Sequence, residues 1–189
     1  VVKLLSRVIM DLAEGEIKQN LNRFDSGQTF SKYINKSFCK TASLIANSTK
    51  AAGVLCNLES KKLNSLYEFG KNIGLAFQVV DDILDFTGND KQLGKPAVSD
   101  LASGYLTAPV LYALEENKNL SVLINRELVE KEDLNNALNI VMNSQAIKRS
   151  RKLAEDFAVL SKEAILWLPD SEYKRALLAL PEFVLSRLY

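Results

Sequence analysis

Residues 60–86 constrain the fold most strongly, because this stretch is apolar on nearly all sides and has the spacing of a helix. Its large apolar residues recur every three or four positions, which is the period of an α-helix. They are Leu63, Leu66, Phe69, Ile73, Leu75, Phe77, Val79, Val80, Ile83, Leu84 and Phe86. A helix that is hydrophobic all round is covered by other helices, so the pattern predicts a central helix in a bundle.

The same period recurs along most of the chain, and no alternating β-branched run indicates a strand. Glycine and proline are scarce, at 8 and 4 residues. The expected helices cover residues 1–19, 29–55, 60–86, 98–116, 133–142, 145–166 and 171–188, with Gly88 as a left-handed cap and Asp133, Asp170 and Ser171 as N-caps. Small side chains in 42–53 favour close packing of a neighbouring helix. The prediction is one all-α domain over residues 1–189, or part of a larger one.

The absence of histidine restricts the chemistry that this chain can perform. It excludes a Ser-His-Asp triad, a Cys-His pair and a His-ligated metal site, so carboxylates and lysines must carry any reaction. Lys plus Arg number 24 against 23 for Asp plus Glu, and the net charge of +1 gives no field that attracts nucleic acid. We therefore expect no nucleic-acid partner.

Cysteine usage and hydropathy bear on the compartment. Cys39 and Cys56 lack a metal-binding or redox spacing and are interpreted as small buried residues in a reducing compartment. No apolar run reaches the roughly 18 residues that span a bilayer, and the first residues lack the pattern of a secretory signal. These features predict a protein of the cytoplasm without a membrane span, with the plastid stroma as the alternative.

Polar side chains within the apolar stretch 60–86 fall on one helical face. Gln78, Asp81, Asp82 and Asp85 are spaced i, i+3, i+4 and i+7. A solvated stripe is one explanation, but the three aspartates share one turn at the negative end of the helix, where each like-charge pair costs roughly 0.2–0.5 kcal/mol. A cation would offset this cost. Oxygen ligands suit a hard divalent ion, and Mg²⁺ fits better than calcium, whose usual loop spacing is absent.

Lysines flank the aspartates in the sequence. Lys40-Thr41 lies on the preceding helix, and Gly94-Lys95 lies in the loop that follows the aspartates. If these ammonium groups converge above the acidic turn, the combination of metal and lysines describes a diphosphate site. Each lysine alone is equally consistent with an exposed, solubilising side chain.

The motif FQVVDDILD at 77–85, with Gly94-Lys95 after it and Lys40-Thr41 before it, resembles the second aspartate-rich region of the trans-isoprenyl diphosphate synthases. Gly15-Glu16 with Gln19 is also similar to that family. The surrounding sequence, including LGKP at 93–96 and LTAP at 106–109, most resembles the long-chain solanesyl-type synthases of cyanobacteria and plastids. The resemblance implies an isoprenoid-synthase-type helical bundle, of which this chain is the C-terminal part.

The resemblance also implies residue roles. Asp81, Asp82 and Asp85 would bind Mg²⁺ around the substrate diphosphate, and Lys40 and Lys95 would hold the allylic diphosphate. Thr41 and Gln78 would line the reacting centre. Phe77 would pack or contact an isoprenoid. The implied reaction condenses isopentenyl diphosphate with an allylic prenyl diphosphate. The implied assembly is a homodimer.

Two departures from the family pattern qualify this interpretation. The family's first aspartate-rich region, its paired arginines and its Gly-Gly-Lys-type segment do not occur in these 189 residues, so we expect that the front of the protein is missing and that this part alone is inactive. Gly104-Tyr105 stands where short-chain members often have Gly-Lys, which favours long products. Two alternatives are a non-catalytic partner subunit of the same fold and a helical interaction bundle whose aspartates are merely solvated.

Overall fold

The structure is a computed structural model, and it describes residues 1–88 and 98–189. Every regular element in these residues is helical, which confirms the predicted all-α class. The helices are α1 (Val2–Leu21), α2 (Phe30–Ser37), α3 (Ser43–Leu55), α4 (Ser60–Thr87), α5 (Ser99–Ala102), α6 (Ala108–Glu116), α7 (Lys118–Asn125), α8 (Asp133–Met142), α9 (Ala146–Ala164) and α10 (Glu172–Ser186), and a π-helical segment (Phe38–Ala42) joins α2 to α3.

The predicted central helix is α4, which packs against both α3 and α9. Its Val79, Val80 and Ile83 side chains are fully buried. Removing a side chain of this size from water contributes roughly 1.5–3 kcal/mol. Helix α4 therefore anchors the bundle, and its C-terminal half is held firmly enough to position polar side chains.

Two glycines of α4 allow it to lie close to α3 and to the π segment. A Cβ atom on Gly70 would lie 2.6 Å from the Ile45 carbonyl oxygen, and one on Gly74 would lie 2.6 Å from the Cα of Ala42. Side chains do not tolerate contacts this short with backbone, so only glycine fits. The predicted close packing of small residues is confirmed, and it brings the π segment against α4 one turn before Gln78.

The predicted continuous helix over 29–55 is interrupted by the π segment. Helix α2 begins as expected, because the Thr29 hydroxyl accepts a hydrogen bond of 3.3 Å from the Lys32 amide. The π turn then inserts an extra residue and changes which side chains face α4. Apolar periodicity does not reveal such an insertion, because the flanking helices keep the ordinary period. Lys40 and Thr41 lie in this turn.

The chain after α4 departs from the predicted helix over 98–116. That region forms two helices, because α5 is a single turn that ends before Gly104, whose φ of +80° is left-handed, and α6 begins at Ala108. Helix α7 was not predicted at all. Gly88 is extended, with φ −80° and ψ 157°, so its predicted left-handed conformation is wrong.

The predicted helix caps are confirmed in one case of three. The Ser171 hydroxyl accepts from the Lys174 amide and caps α10, which leaves Asp170 outside the cap position. Asp133 is the first residue of α8, and its buried carboxylate instead accepts hydrogen bonds from the Arg126 guanidinium and the Glu130 amide.

Two predictions from composition can also be compared with the structure. Both cysteines are free, but only Cys39 is buried, so the interpretation of Cys56 as a buried residue is wrong. Among the helices of residues 1–88 and 98–189, none combines the length and the apolar character that crossing a membrane requires.

Candidate functional site

A cavity of about 850 Å³ opens between the C-terminal half of α4, the α2–π segment and the end of α10. Its lining is rich in charge. Among the described residues, the carboxylates are Asp81, Asp82 and Asp100, and the cations are Lys36, Lys40, Arg151 and Arg187. Opposed sets of carboxylates and cations around one cavity suit a ligand that is itself anionic and is bound together with a metal ion.

Four side chains form a hydrogen-bonded chain across the floor of this cavity. The Thr41 hydroxyl donates to Gln78 Oε1 at 2.7 Å, and Gln78 Nε2 donates to Asp82 Oδ1 at 2.9 Å. The Tyr33 hydroxyl donates to Asp82 Oδ2 at 2.6 Å. The structure thus brings together Thr41, Gln78 and Asp82, which were singled out from the sequence, and fixes the orientation of the glutamine amide.

Asp82 is a buried carboxylate, with 1% of the residue exposed. Burial raises the pKa of Asp82 to about 6, although the Lys36 charge and the hydrogen bonds from Tyr33 and Gln78 oppose this effect. Burial and the neighbouring Asp82 charge raise the pKa of Tyr33 well above its usual range, so Tyr33 acts only as a donor. A desolvated carboxylate of this kind is stabilised in its charged form by a divalent cation.

Asp81 is the most accessible of the three predicted metal ligands. Its side chain is 38% exposed and forms an ion pair of 2.8 Å with Arg187 Nη2. The Arg187 guanidinium also lies 4.7 Å from the centre of the Phe77 ring. Phe77, predicted to pack or to contact an isoprenoid, therefore faces the end of α10 here.

Asp85 does not line the cavity, although it shares the predicted stripe. It is fully buried, and its carboxylate accepts hydrogen bonds of 3.1 Å from the Ser99 hydroxyl and from the Asp100 amide. These bonds tie the end of α4 to the start of α5. Because Asp82 and Asp85 are buried, the explanation of the stripe as a merely solvated face is wrong for both residues.

Lys40 points into the cavity from the π segment and is held by α1. Its ammonium group lies 3.1 Å from the Glu16 carboxylate and 2.9 Å from Gln19 Oε1. The two helices can meet because residue 15 is glycine, whose Cβ would lie 2.9 Å from the Lys40 amide nitrogen. Glu16 and Gln19 of α1, which the sequence comparison with the family singled out, thus position Lys40. Lys95, the other predicted lysine, lies outside the described residues.

Several residues of the cavity were missed by the sequence interpretation. Lys36 lies one turn before Lys40 and could have been found from that spacing, as could Tyr33, which does not line the cavity but donates to Asp82. Arg151 and Arg187 come from α9 and from the end of α10, and nothing in their local sequence indicates that they meet α4. Only the packing of the bundle brings them to the cavity.

A helical bundle whose central helix carries these aspartates, with Lys40 and Thr41 packed beside them, is the arrangement expected from the sequence resemblance. The chain belongs to the polyprenyl synthetase family, whose model matches residues 1–141. It is 52% identical over 189 residues to a prenyl transferase of Synechocystis, covering 100% of this chain and 58% of that protein. It is 47% identical over 188 residues to the chloroplastic solanesyl diphosphate synthase 2 of Arabidopsis thaliana, covering 100% and 45%.

A solved relative has the same fold. The polyprenyl synthase of Caulobacter crescentus, complexed with calcium and isoprenyl diphosphate, superposes with a TM-score of 0.90 at 30% identity, covering 100% of this chain and 59% of that chain. The predicted isoprenoid-synthase bundle and the resemblance to solanesyl-type synthases are confirmed. The chain spans about half the length of the curated relatives it matches.

Proposed function

We propose that the protein carrying this chain is a Mg²⁺-dependent trans-polyprenyl diphosphate synthase that makes a long-chain product from isopentenyl diphosphate and an allylic diphosphate. The observation that carries the proposal is the Thr41–Gln78–Asp82 hydrogen-bonded chain beside Asp81, in a cavity that lysines also line. Residues 1–189 would form the C-terminal half of the synthase domain. The proposed compartment is the cytoplasm or the plastid stroma.

The carboxylates of the cavity fit a magnesium ion. Asp81 and Asp82 face the same space, and carboxylate oxygens are the ligands that Mg²⁺ prefers. The raised pKa of Asp82 indicates a desolvated charge that a metal ion would stabilise. Asp85, the third predicted ligand, would act outside direct coordination, through the hydrogen bonds that it accepts from α5. When bound, Mg²⁺ would neutralise charge that develops on the departing diphosphate.

Lys40 and Lys95 are proposed to hold the allylic diphosphate. Lys40 is already oriented by Glu16 and Gln19, so little side-chain entropy is lost when it binds. An ammonium group donates charge-assisted hydrogen bonds to phosphate oxygens, and these strengthen as the leaving group becomes more negative.

The reaction begins when the allylic carbon–oxygen bond breaks and its electron pair leaves with the diphosphate. The double bond of isopentenyl diphosphate then attacks the allylic cation, a carbon–carbon bond forms, and a proton is lost to the released diphosphate. The oxygen dipoles of Thr41 and Gln78 would stabilise the cation without offering a base that could quench it. This chemistry needs charge stabilisation and exclusion of water, which agrees with the absence of histidine.

A homodimer is the proposed assembly. Helix α1 leaves several large apolar side chains exposed, among them Val2 at 77%, Ile9 at 71% and Leu21 at 77%. Exposed apolar side chains concentrated on one helix mark a surface that associates with other protein. Both the remainder of the synthase and a second copy of it would supply such a covering.

Incorporation of labelled isopentenyl diphosphate into a polyprenyl product by the full-length protein tests the proposal. Asp81→Asn and Thr41→Val should each lower turnover, by roughly 10²–10³ for the aspartate, because each removes stabilisation of charge in the transition state. Asp25→Asn is the matched control, since Asp25 is 40% exposed, pairs with Lys32 at 3.8 Å and does not line the main cavity. Absence of incorporation by the wild type, or normal turnover in Asp81→Asn, would contradict the proposal.

A further inference from the structure

Lys36 is a cation of the cavity whose ammonium group has neither an ion pair nor a hydrogen bond within residues 1–88 and 98–189. The Lys36 ammonium nitrogen lies over the Tyr33 ring, 5.2 Å from the ring centre. The other cations of the cavity have polar partners. Lys40 contacts Glu16 and Gln19, Arg151 donates to the Leu188 carbonyl, and Arg187 pairs with Asp81.

The position of Lys36 places this charge beside the proposed metal ligands. Lys36 is half-buried and follows Tyr33, which donates to Asp82, by three residues on α2. Its positive charge is close enough to lower the pKa of Asp82, yet it lies beyond ion-pair distance of that carboxylate. The ammonium group is therefore near the carboxylates but not neutralised by them.

Tyr105 lines the same part of the site as Lys36. Both residues line the main cavity, and both line a small recess that adjoins it. Tyr105 is fixed there by its amide, which donates to the Asp100 carbonyl at 2.8 Å, and by Arg23, which lies 5.8 Å from the ring centre. Tyr105 brings a hydroxyl but no charge. Of the two lysines that line the recess with it, Lys32 and Lys36, only Lys36 also lines the main cavity.

We propose that Lys36 binds the diphosphate of the allylic substrate, next to the proposed metal site and alongside Lys40. This inference rests on the proposed function. A half-buried ammonium group that pairs with no anion of residues 1–88 and 98–189 is ready to bind a phosphate oxygen at little cost in reorganisation. Lys36 and Lys40 project from one helical run on the same side of the cavity, so two ammonium groups would grip the leaving group from α2 and the π segment.

Calorimetric binding of inorganic diphosphate to the full-length protein, with EDTA and again with Mg²⁺, tests direct contact. Lys36→Gln should weaken binding roughly 10- to 100-fold in both conditions, because a hydrogen bond to a charged group is lost, and Lys36→Arg should retain most of the affinity. Lys32→Gln is the matched control, since Lys32 lies one turn earlier on α2 and does not line the main cavity. Unchanged affinity in EDTA, with a loss only in Mg²⁺, would overturn direct contact and indicate that Lys36 acts through Asp82.

Steady-state kinetics identify the substrate that Lys36 contacts. Lys36→Gln should raise KM for the allylic diphosphate roughly 10-fold or more and leave KM for isopentenyl diphosphate within about twofold of the wild type. A larger effect on isopentenyl diphosphate, or no effect on either KM, would overturn the assignment. Failure of the proposed function is distinct from both results, because the wild type itself would then incorporate no isopentenyl diphosphate.

Discussion

The Tyr33 hydroxyl and the Asp82 carboxylate meet in a hydrogen bond of 2.6 Å between two residues that are 49 positions apart in the chain. Both side chains are buried, at 0% and 1% exposure. The bond joins α2 to α4 below the cavity and leaves the other carboxylate oxygen to accept from Gln78. Hydrogen bonds from Tyr33 on α2 and from Gln78 on α4 thus orient the Asp82 carboxylate without a bound ligand.

Tyr33→Phe should lower the free energy of unfolding by about 1–3 kcal/mol, because the buried Asp82 carboxylate loses a donor while its burial remains. Urea denaturation of the metal-free protein measures the change. Tyr112→Phe is a suitable control, since within the described residues the Tyr112 hydroxyl has no hydrogen bond and its ring packs on Phe30. Equal stability of the two variants would show that the Tyr33–Asp82 bond does not stabilise the fold.

The stability of the metal-free protein should depend on pH through Asp82. Its pKa is raised from 3.8 to about 6, so between these values the folded state keeps a proton that the unfolded state has released. The free energy of unfolding therefore falls as pH rises from about 4 to about 6, by about 3 kcal/mol from this group.

Asp82→Asn removes this titration and provides the comparison. The stability difference between wild type and Asp82→Asn, measured by urea denaturation at several pH values, should shift in favour of the variant as pH rises through the same range. A difference that stays constant from pH 4 to pH 7 would contradict the account of Asp82 as a desolvated carboxylate.

Gly74→Ala should disturb both the fold and the site. The new methyl group would lie 2.6 Å from the Cα of Ala42, so α4 and the π segment must separate, and overpacking of this kind costs about 1–3 kcal/mol. Thr41 and Gln78 would move apart, and turnover should fall along with the melting temperature. Gly27→Ala, whose Cβ meets only the Asp25 carboxylate at 3.2 Å, should leave both quantities nearly unchanged. Normal turnover in Gly74→Ala would show that the close approach does not position the site.

Arg187→Gln should change stability little, because the Arg187 and Asp81 side chains are 34% and 38% exposed and solvent screens their ion pair. We expect a loss below about 1 kcal/mol in the free energy of unfolding. Since the guanidinium would compete with the proposed metal ion for the Asp81 carboxylate, Mg²⁺ binding with diphosphate should tighten in the variant. Arg175→Gln on the same helix is the control, because Arg175 is exposed and has no ion pair in the part of the chain that the structure describes. A loss above about 2 kcal/mol would show that the pair is structural.

The central helix and the core of the site could be predicted from the sequence because each depends on local spacing. The apolar period of 60–86 is that of α4, and the order of Lys40, Thr41, Gln78 and the aspartates carried the family resemblance. In the structure, Gln78, Asp81 and Asp82 line one cavity, and Thr41 donates a hydrogen bond to Gln78.

The remaining features depend on geometry that spacing does not encode. A period of 3.6 residues puts Asp85 on the same face as Asp82, but Asp85 does not line the cavity, and its buried carboxylate accepts hydrogen bonds from Ser99 and Asp100 of α5. The π turn leaves no trace in the apolar pattern, and Arg187 reaches Asp81 only because α10 packs against α4. These contacts join residues that are distant in the sequence, so local spacing could not predict them.

The proposed Mg²⁺-dependent prenyl transfer at the carboxylates of the cavity is tested by the Mg²⁺ dependence of isopentenyl diphosphate incorporation. This is measured with the full-length protein, for the wild type and for Asp82→Asn. We expect no product in EDTA, recovery of wild-type activity when Mg²⁺ is added, and a much higher Mg²⁺ requirement for Asp82→Asn, with Asp25→Asn indistinguishable from the wild type. Incorporation that persists in EDTA, or the same Mg²⁺ dependence in Asp82→Asn and the wild type, would contradict it.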